Sequence, residues 1–240
     1  REERERNLAE QKARAEEIAR HRELEEAARV EQQYQKALSM WRRGVPVEGT
    51  DIPAYLASRG IKCGAPEFAR YLPQTCNEYP QCMIVPFGTC AEDLRGVHVT
   101  YIQDGGAGKA SDHEGLSKKT IGIGEGFPPL IAATVDGCDR LFISEGIEDA
   151  LSAHQALECS AWAAGSAARL PGLVSHVPAH VKTVIIQQDD NASGRGGTTG
   201  LAAGLAQRGI TVLISEGVDK QDVNDVLRAE GNEGVRAYLA

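Results

Sequence analysis

Carboxylates gather at three places in this 240-residue chain: Glu145, Glu148 and Asp149; then Asp189 and Asp190, with Asn191 beside them; then Glu216, Asp219, Asp222 and Asp225. Each group directly follows a short apolar run, at 141–144, 181–187 and 211–215. Carboxylates brought together repel one another unless cations neutralise them. Oxygen donors with no His or Cys nearby suit Mg2+ or Mn2+ better than zinc. Such ions clamp the attacking and leaving oxygens of a phosphoryl group. An acid after a strand also serves simply as a helix cap, but three acidic loops at one place favour a metal site.

The loops meet only if the runs before them are neighbouring parallel strands. A fourth run lies at 160–164, and helix-like segments alternate with the runs at 146–157, 167–176, 195–208, 222–229 and 233–240. Strands alternating with helices imply a parallel sheet covered on both faces. Right-handed crossovers then bring the loops to one edge, where the strands' carboxyl ends bind ligands. The expected class is α/β from residue 139 to 240.

Upstream the texture differs. Residues 1–43 contain no Pro or Gly and are built from Glu, Arg, Ala, Gln and Leu, strong helix formers. Val30, Tyr34, Leu38 and Trp41 form one apolar stripe, so the end of this long helix docks while residues 1–24 form a solvated arm. Opening within a helix also hints at sequence removed upstream. Residues 44–138 read as a small α+β domain. Asp51 caps a short helix carrying Pro53, and strands follow near 83–87, 94–102 and 118–123.

Charge narrows the function. Residues 1–43 hold 11 Lys and Arg against 10 Asp and Glu, which leaves net −9 on the remainder. A body that acidic does not attract nucleic acid in bulk, so phosphates need a local basic patch or recruited cations. Arg95, Lys109, Lys118, Lys119 and Arg195 are the candidates for that patch. No apolar run approaches the roughly 20 residues of a membrane span, and no charged-then-apolar leader opens the sequence. Six scattered cysteines fit reduced thiols, so a cytoplasmic protein is expected. The run from Gly105 to Lys109 fails the phosphate-loop pattern, because Gln103 stands where its first Gly belongs and Ala110 replaces Ser or Thr. The glycines from Gly194 to Gly200 fail the dinucleotide fingerprint at Thr199. Cys76, Cys82 and Cys90 lack zinc spacing.

The succession Ser144-Glu145-Gly146-Ile147-Glu148-Asp149, then Gln188-Asp189-Asp190-Asn191-Ala192-Ser193-Gly194 about 40 residues on, resembles a Toprim domain, the module shared by primases and topoisomerases. Asp219, Asp222 and Asp225 resemble the third acidic motif of its primase members. Gly96 to Tyr101, Gly105 to Lys109 and the run Gly115-Leu116-Ser117-Lys118-Lys119 resemble the segment preceding Toprim in phage- and plasmid-type primases.

That resemblance implies a Toprim-like parallel sheet behind the α+β domain and a nucleotidyltransferase making short RNA primers on single-stranded DNA. In this reading Glu145 assists proton transfer from the attacking 3′-hydroxyl. Asp189, Asp190, Asn191, Asp149, Asp219 and Asp222 hold Mg2+ or Mn2+. Lys109, Lys118, Lys119, Arg95 and Arg195 meet nucleotide or template, and a helicase or zinc-binding domain outside this chain is the further expected partner. Asn191 stands where the family has an Asp, and an amide brings an oxygen without charge. That departure carries one alternative, a nucleic-acid-binding module without chemistry; a Toprim nuclease is the other.

Overall fold

A computed structural model describes residues 2–74, 79–88, 94–122, 129–216 and 221–240, with side chains from residue 11 onward. The first sheet is antiparallel, in the order β1 (Arg70–Leu72), β2 (Cys82–Pro86), β3 (Gly96–Tyr101) and β4 (Lys118–Gly122). Every residue of β2 and β3 is buried, because this sheet is covered on both faces. Alternation along a strand sorts the side chains. Cys82, Ile84, Val97, Val99 and Tyr101 pack toward the long helix, while Met83 and Val85 enter the core shared with the second sheet.

The long helix α1 spans Glu2–Arg43, and a short helix α2 follows over Ile52–Ser58. The docked stripe of α1 centres on Ala37, Met40 and Trp41, while Leu38, expected in the stripe, is half-buried on the flank. A small residue at the middle of the seam lets the helix approach the sheet closely. The Arg70 guanidinium lies over the Trp41 ring at 4.2 Å and seals the end of the contact. Every residue from 11 to 29 is exposed. Deleting residues 1–24 is therefore expected to shift the melting temperature by less than a few degrees; a larger drop in a thermal melt would mean that the arm packs or self-associates.

The second sheet has the order β5-β7-β6-β8-β9, with β5 (Leu130–Ala133), β6 (Arg140–Ser144), β7 (Ser160–Ala163), β8 (Thr183–Gln188) and β9 (Thr211–Glu216). Strands β6 to β9 are parallel, and β5 closes the edge antiparallel to β7. The sequence reading assigns no strand at 130–133 and ends the α+β domain at 138; in the fold this four-residue strand belongs to the second sheet. Helices α3 (Ile147–Leu157) and α5 (Val223–Tyr238) cover one face. Helix α4 (Ala192–Gln207) and a 3-10 helix over Ala167–His176 cover the other. Gly231, at φ 70°, breaks α5 where one helix was expected to end and another to begin. A single apolar cluster runs from Ile52, Tyr55, Met83 and Phe87 to Phe142, Ile147 and Leu151, so both sheets share a core.

Candidate active site

The three acidic loops lie at the carboxyl edge of the parallel sheet. Glu145 follows β6, and Gly146 begins α3 in an extended conformation. A Cβ on Gly146 would stand 2.6 Å from the Asp149 carboxylate, so glycine beside Glu145 lets the first turn of α3 fold its acid back. Gly194 does the same after β8, where a Cβ would meet the Asp189 carbonyl at 2.6 Å. The Glu-Gly pair and the later glycine are thus steric requirements of two tight strand-to-helix turns. Glu145, Asp149, Asp189, Asp190, Asn191 and Asp222 line one cleft of about 480 Å3, with Lys118 reaching in from β4. Asp219 lies outside the described residues.

Crowding shifts the acids. Burial and the Asp189 carboxylate raise the pKa of Glu145, and the two side chains are hydrogen-bonded to each other. Burial also raises Asp189, Asp222 adds to the effect, and Lys118 opposes it. Burial and the Asp222 charge push Asp149 up to about 8. These groups fit a divalent cation: all are oxygen donors, and the buried Glu145 Oε1 has no hydrogen-bond partner. Among the described residues, however, no three acids, histidines or cysteines already surround one point. Several oxygens serve backbone amides instead. Asn191 Oδ1 accepts from Gly194 N at 2.8 Å, Asp222 Oδ1 from Asp225 N at 2.7 Å, and Asp149 Oδ1 from Asn224 N at 3.0 Å.

A raised carboxyl pKa means the folded chain holds the proton more tightly than the unfolded one, so stability falls as pH rises through the interval. For Asp149 the interval runs from its ordinary 3.8 to about 8. In chelator the melting temperature is expected to fall as pH rises from about 4 to about 8. Asp149→Asn should flatten that fall and raise the melting temperature at pH 8, since the amide keeps the bond from Asn224. A variant with the wild-type slope would show that Asp149 does not carry the effect.

The basic candidates scatter. Lys118 and Lys119 are neighbours on a strand and face opposite sides. Lys118 lines the cleft, whereas Lys119 turns toward α1 and pairs with Glu114 and Asp112. Lys109 is not open to a phosphate, because its ammonium sits 2.9 Å from the buried Glu148 carboxylate, which the Tyr55 hydroxyl also contacts at 2.6 Å. Arg195 pairs with Asp190 at 2.9 Å on the surface, so each occupies the other. Gly96 pairs with Gly122 and Thr100 with Lys118, which puts exposed Arg95 past the far end of the ladder, about 16 Å along it from Lys118. Asp51, expected as a helix cap, makes no such bond and instead accepts from Gly105 N and Gln81 Nε2.

Two features escaped the sequence reading. One is the Tyr55–Glu148–Lys109 cluster, whose members come from three separate segments. The other is Gln187, which is 3% exposed and lines the cleft. Its signal was a polar residue at the carboxyl end of a strand, directly after apolar Val184–Ile186.

A Toprim domain model matches residues 140–233, the segment that carries all three acidic loops. Residues 140–233 form a Toprim domain. A second model, a domain of unknown function (DUF7146), matches residues 31–136. No curated protein matches the chain. Among solved structures, the DnaG primase catalytic domain bound to ssDNA is 14% identical, with a TM-score of 0.55 over 88% of this chain and 79% of that one. The primase fragment of the bacteriophage T7 primase-helicase protein is 10% identical, with a TM-score of 0.50 over 82% and 73%. The Aquifex aeolicus primase, with zinc-binding and RNA polymerase domains, is 13% identical, with a TM-score of 0.51 over 86% of this chain. This Toprim chain spans 59% of that last protein. At such identities the likeness is one of fold. No described helix is long and apolar enough to cross a membrane.

Proposed function

We propose that this Toprim protein is a primase-type nucleotidyltransferase that joins ribonucleotides into short primers on single-stranded DNA. The observation that carries the reading is the single cleft in which Glu145, Asp149, Asp189 and Asp222 from the parallel sheet meet Lys118 from the antiparallel one. Asp189, Asp149 and Asp222 would hold Mg2+ or Mn2+, which would stabilise the charge that develops on the transferring phosphoryl group. In the step itself the 3′-oxygen forms a bond to the α-phosphorus, the bond to pyrophosphate breaks, and the hydroxyl proton passes to the Glu145 carboxylate. The raised pKa of Glu145 suits it to accept that proton. Lys118 supplies the local positive charge that the acidic body lacks, and it would meet the triphosphate or the template.

The test is primer synthesis on single-stranded DNA with ribonucleoside triphosphates and Mg2+ or Mn2+. Short RNA products support the reading, and metal-dependent cleavage of the template without synthesis overturns it in favour of a nuclease. Charge contacts are separable in the same system. Lys118→Ala is expected to weaken binding of DNA or nucleotide and to reduce the salt slope by about one. Lys119→Ala, which removes a residue occupied by Glu114 and Asp112, should leave the slope unchanged. Equal effects of the two variants in a salt titration would contradict the division of the lysines between sheet faces.

A further inference from the structure

The uncharged oxygen best placed to join a cation in this cleft does not belong to Asn191, whose Oδ1 is already bonded to the Gly194 amide and closes the first turn of α4. Gln187 differs. It is almost fully buried, it lines the cleft, and its Oε1 has no hydrogen-bond partner. A buried amide oxygen without a partner is rare in a folded protein and calls for a ligand, a water or a catalytic role.

Its position follows from the strand. Ile185 packs into the core beneath α3 and α5, and Gln187, two residues on, faces the same side. There α3 brings Asp149 and α5 begins beside Asp222. The amide nitrogen has partners of its own: Nε2 lies 3.4 Å from the Tyr238 hydroxyl and 3.5 Å from the Gln188 carbonyl. Tyr238 in turn donates to the Gln221 carbonyl at 2.9 Å, so its hydroxyl is left to accept from Gln187. With the nitrogen held by α5, the oxygen remains for the cleft.

We propose that Gln187 supplies its carbonyl oxygen to the divalent cation held by the carboxylates of this cleft, an inference that rests on the metal-dependent reading above. Amide carbonyls are ordinary ligands of hard cations. A neutral donor adds a ligand without adding to the repulsion that already raises Glu145, Asp189 and Asp149. Gln187 thus restores a donor where Asn191 has turned to capping.

The test uses the full 240-residue chain stripped of metal. MnCl2 is titrated by calorimetry, and melting curves are taken in chelator and in excess Mn2+. Gln187→Leu keeps the volume and removes the oxygen, and should weaken Mn2+ binding about tenfold while melting no earlier in chelator. Gln187→Glu should tighten Mn2+ binding and melt earlier in chelator, because it adds a charge to a crowded site. The two variants move in opposite directions, so a folding defect in either cannot imitate the pattern. Wild-type Mn2+ affinity in both would overturn the role of Gln187 and leave the metal-dependent reading standing. A wild-type chain that binds no Mn2+ would overturn both.

Discussion

Glu145→Gln is expected to lower primer synthesis by about 100- to 10,000-fold, the range lost with a positioned general base. The substitution keeps the shape of the side chain, and its amide nitrogen is able to donate to Asp189. What disappears is the ability to take a proton. The apo fold should not suffer, because one member of a repelling pair becomes neutral: Glu145 is raised by burial and by Asp189, and Asp189 by burial and by Asp222. The two measurements are a primer-synthesis time course and a melting curve in chelator. Lost activity with an unchanged or higher melting temperature separates chemistry from folding. A fully active variant would remove Glu145 from the reaction.

Lys109→Met should be the most destabilising of the changes considered, by about 3 kcal/mol at pH 7, the low end for breaking a buried ion pair. The low end applies because the ammonium keeps some water, its side chain being 28% exposed against 6% for Glu148. Burial alone would push the Glu148 carboxyl up. The Lys109 charge, the Tyr55 hydroxyl and the Lys109 hydrogen bond outweigh burial and hold it at about 2. A lowered carboxyl pKa contributes stability above its ordinary value of 4.5, and that contribution disappears as pH falls toward 2. The penalty of Lys109→Met should therefore be full at pH 7 and shrink below pH 4.5. Denaturant unfolding at pH 7 and pH 3.5 measures both. A variant as stable as wild type at pH 7 would show that the pair contributes nothing, and would return Lys109 to the candidates for phosphate binding.

The placement of the three acidic loops was legible before any coordinates, and for a physical reason. Apolar runs of four to seven residues alternating with helix-like segments leave few arrangements other than a covered parallel sheet. In such a sheet the loops after successive strands must meet at one edge. Gly146 and Gly194 were legible as residue types, but their purpose emerged only where a Cβ would strike Asp149 or the backbone of Asp189. Strand β5 was not legible, since four small and apolar residues at a sheet edge carry almost no periodic signal. Its place depends on β7, about 30 residues later in the chain.

Local sequence determines which residues share a face, because the period of a strand or helix is set by the backbone. It does not determine what stands opposite that face. Alternation puts Lys118 and Lys119 on opposite faces, yet both read as members of one basic patch, and only packing decided that Lys118 looks into the acidic cleft and Lys119 toward α1. Lys109 reads as a free cation in a glycine-rich turn, and it becomes half of a buried pair because α3 presents Glu148 to it. Asn191 reads as a weakened metal ligand, and the geometry of the β8–α4 turn gives its oxygen to Gly194. Gln187 reads as a polar residue at the end of a strand, and the fold buries it at the cleft with its nitrogen near the Tyr238 hydroxyl and its oxygen without a partner. In each case the chemistry of the side chain was present in the sequence, while its partner came from a segment brought near only by the fold, since charge and hydrogen bonding act across space rather than along the chain.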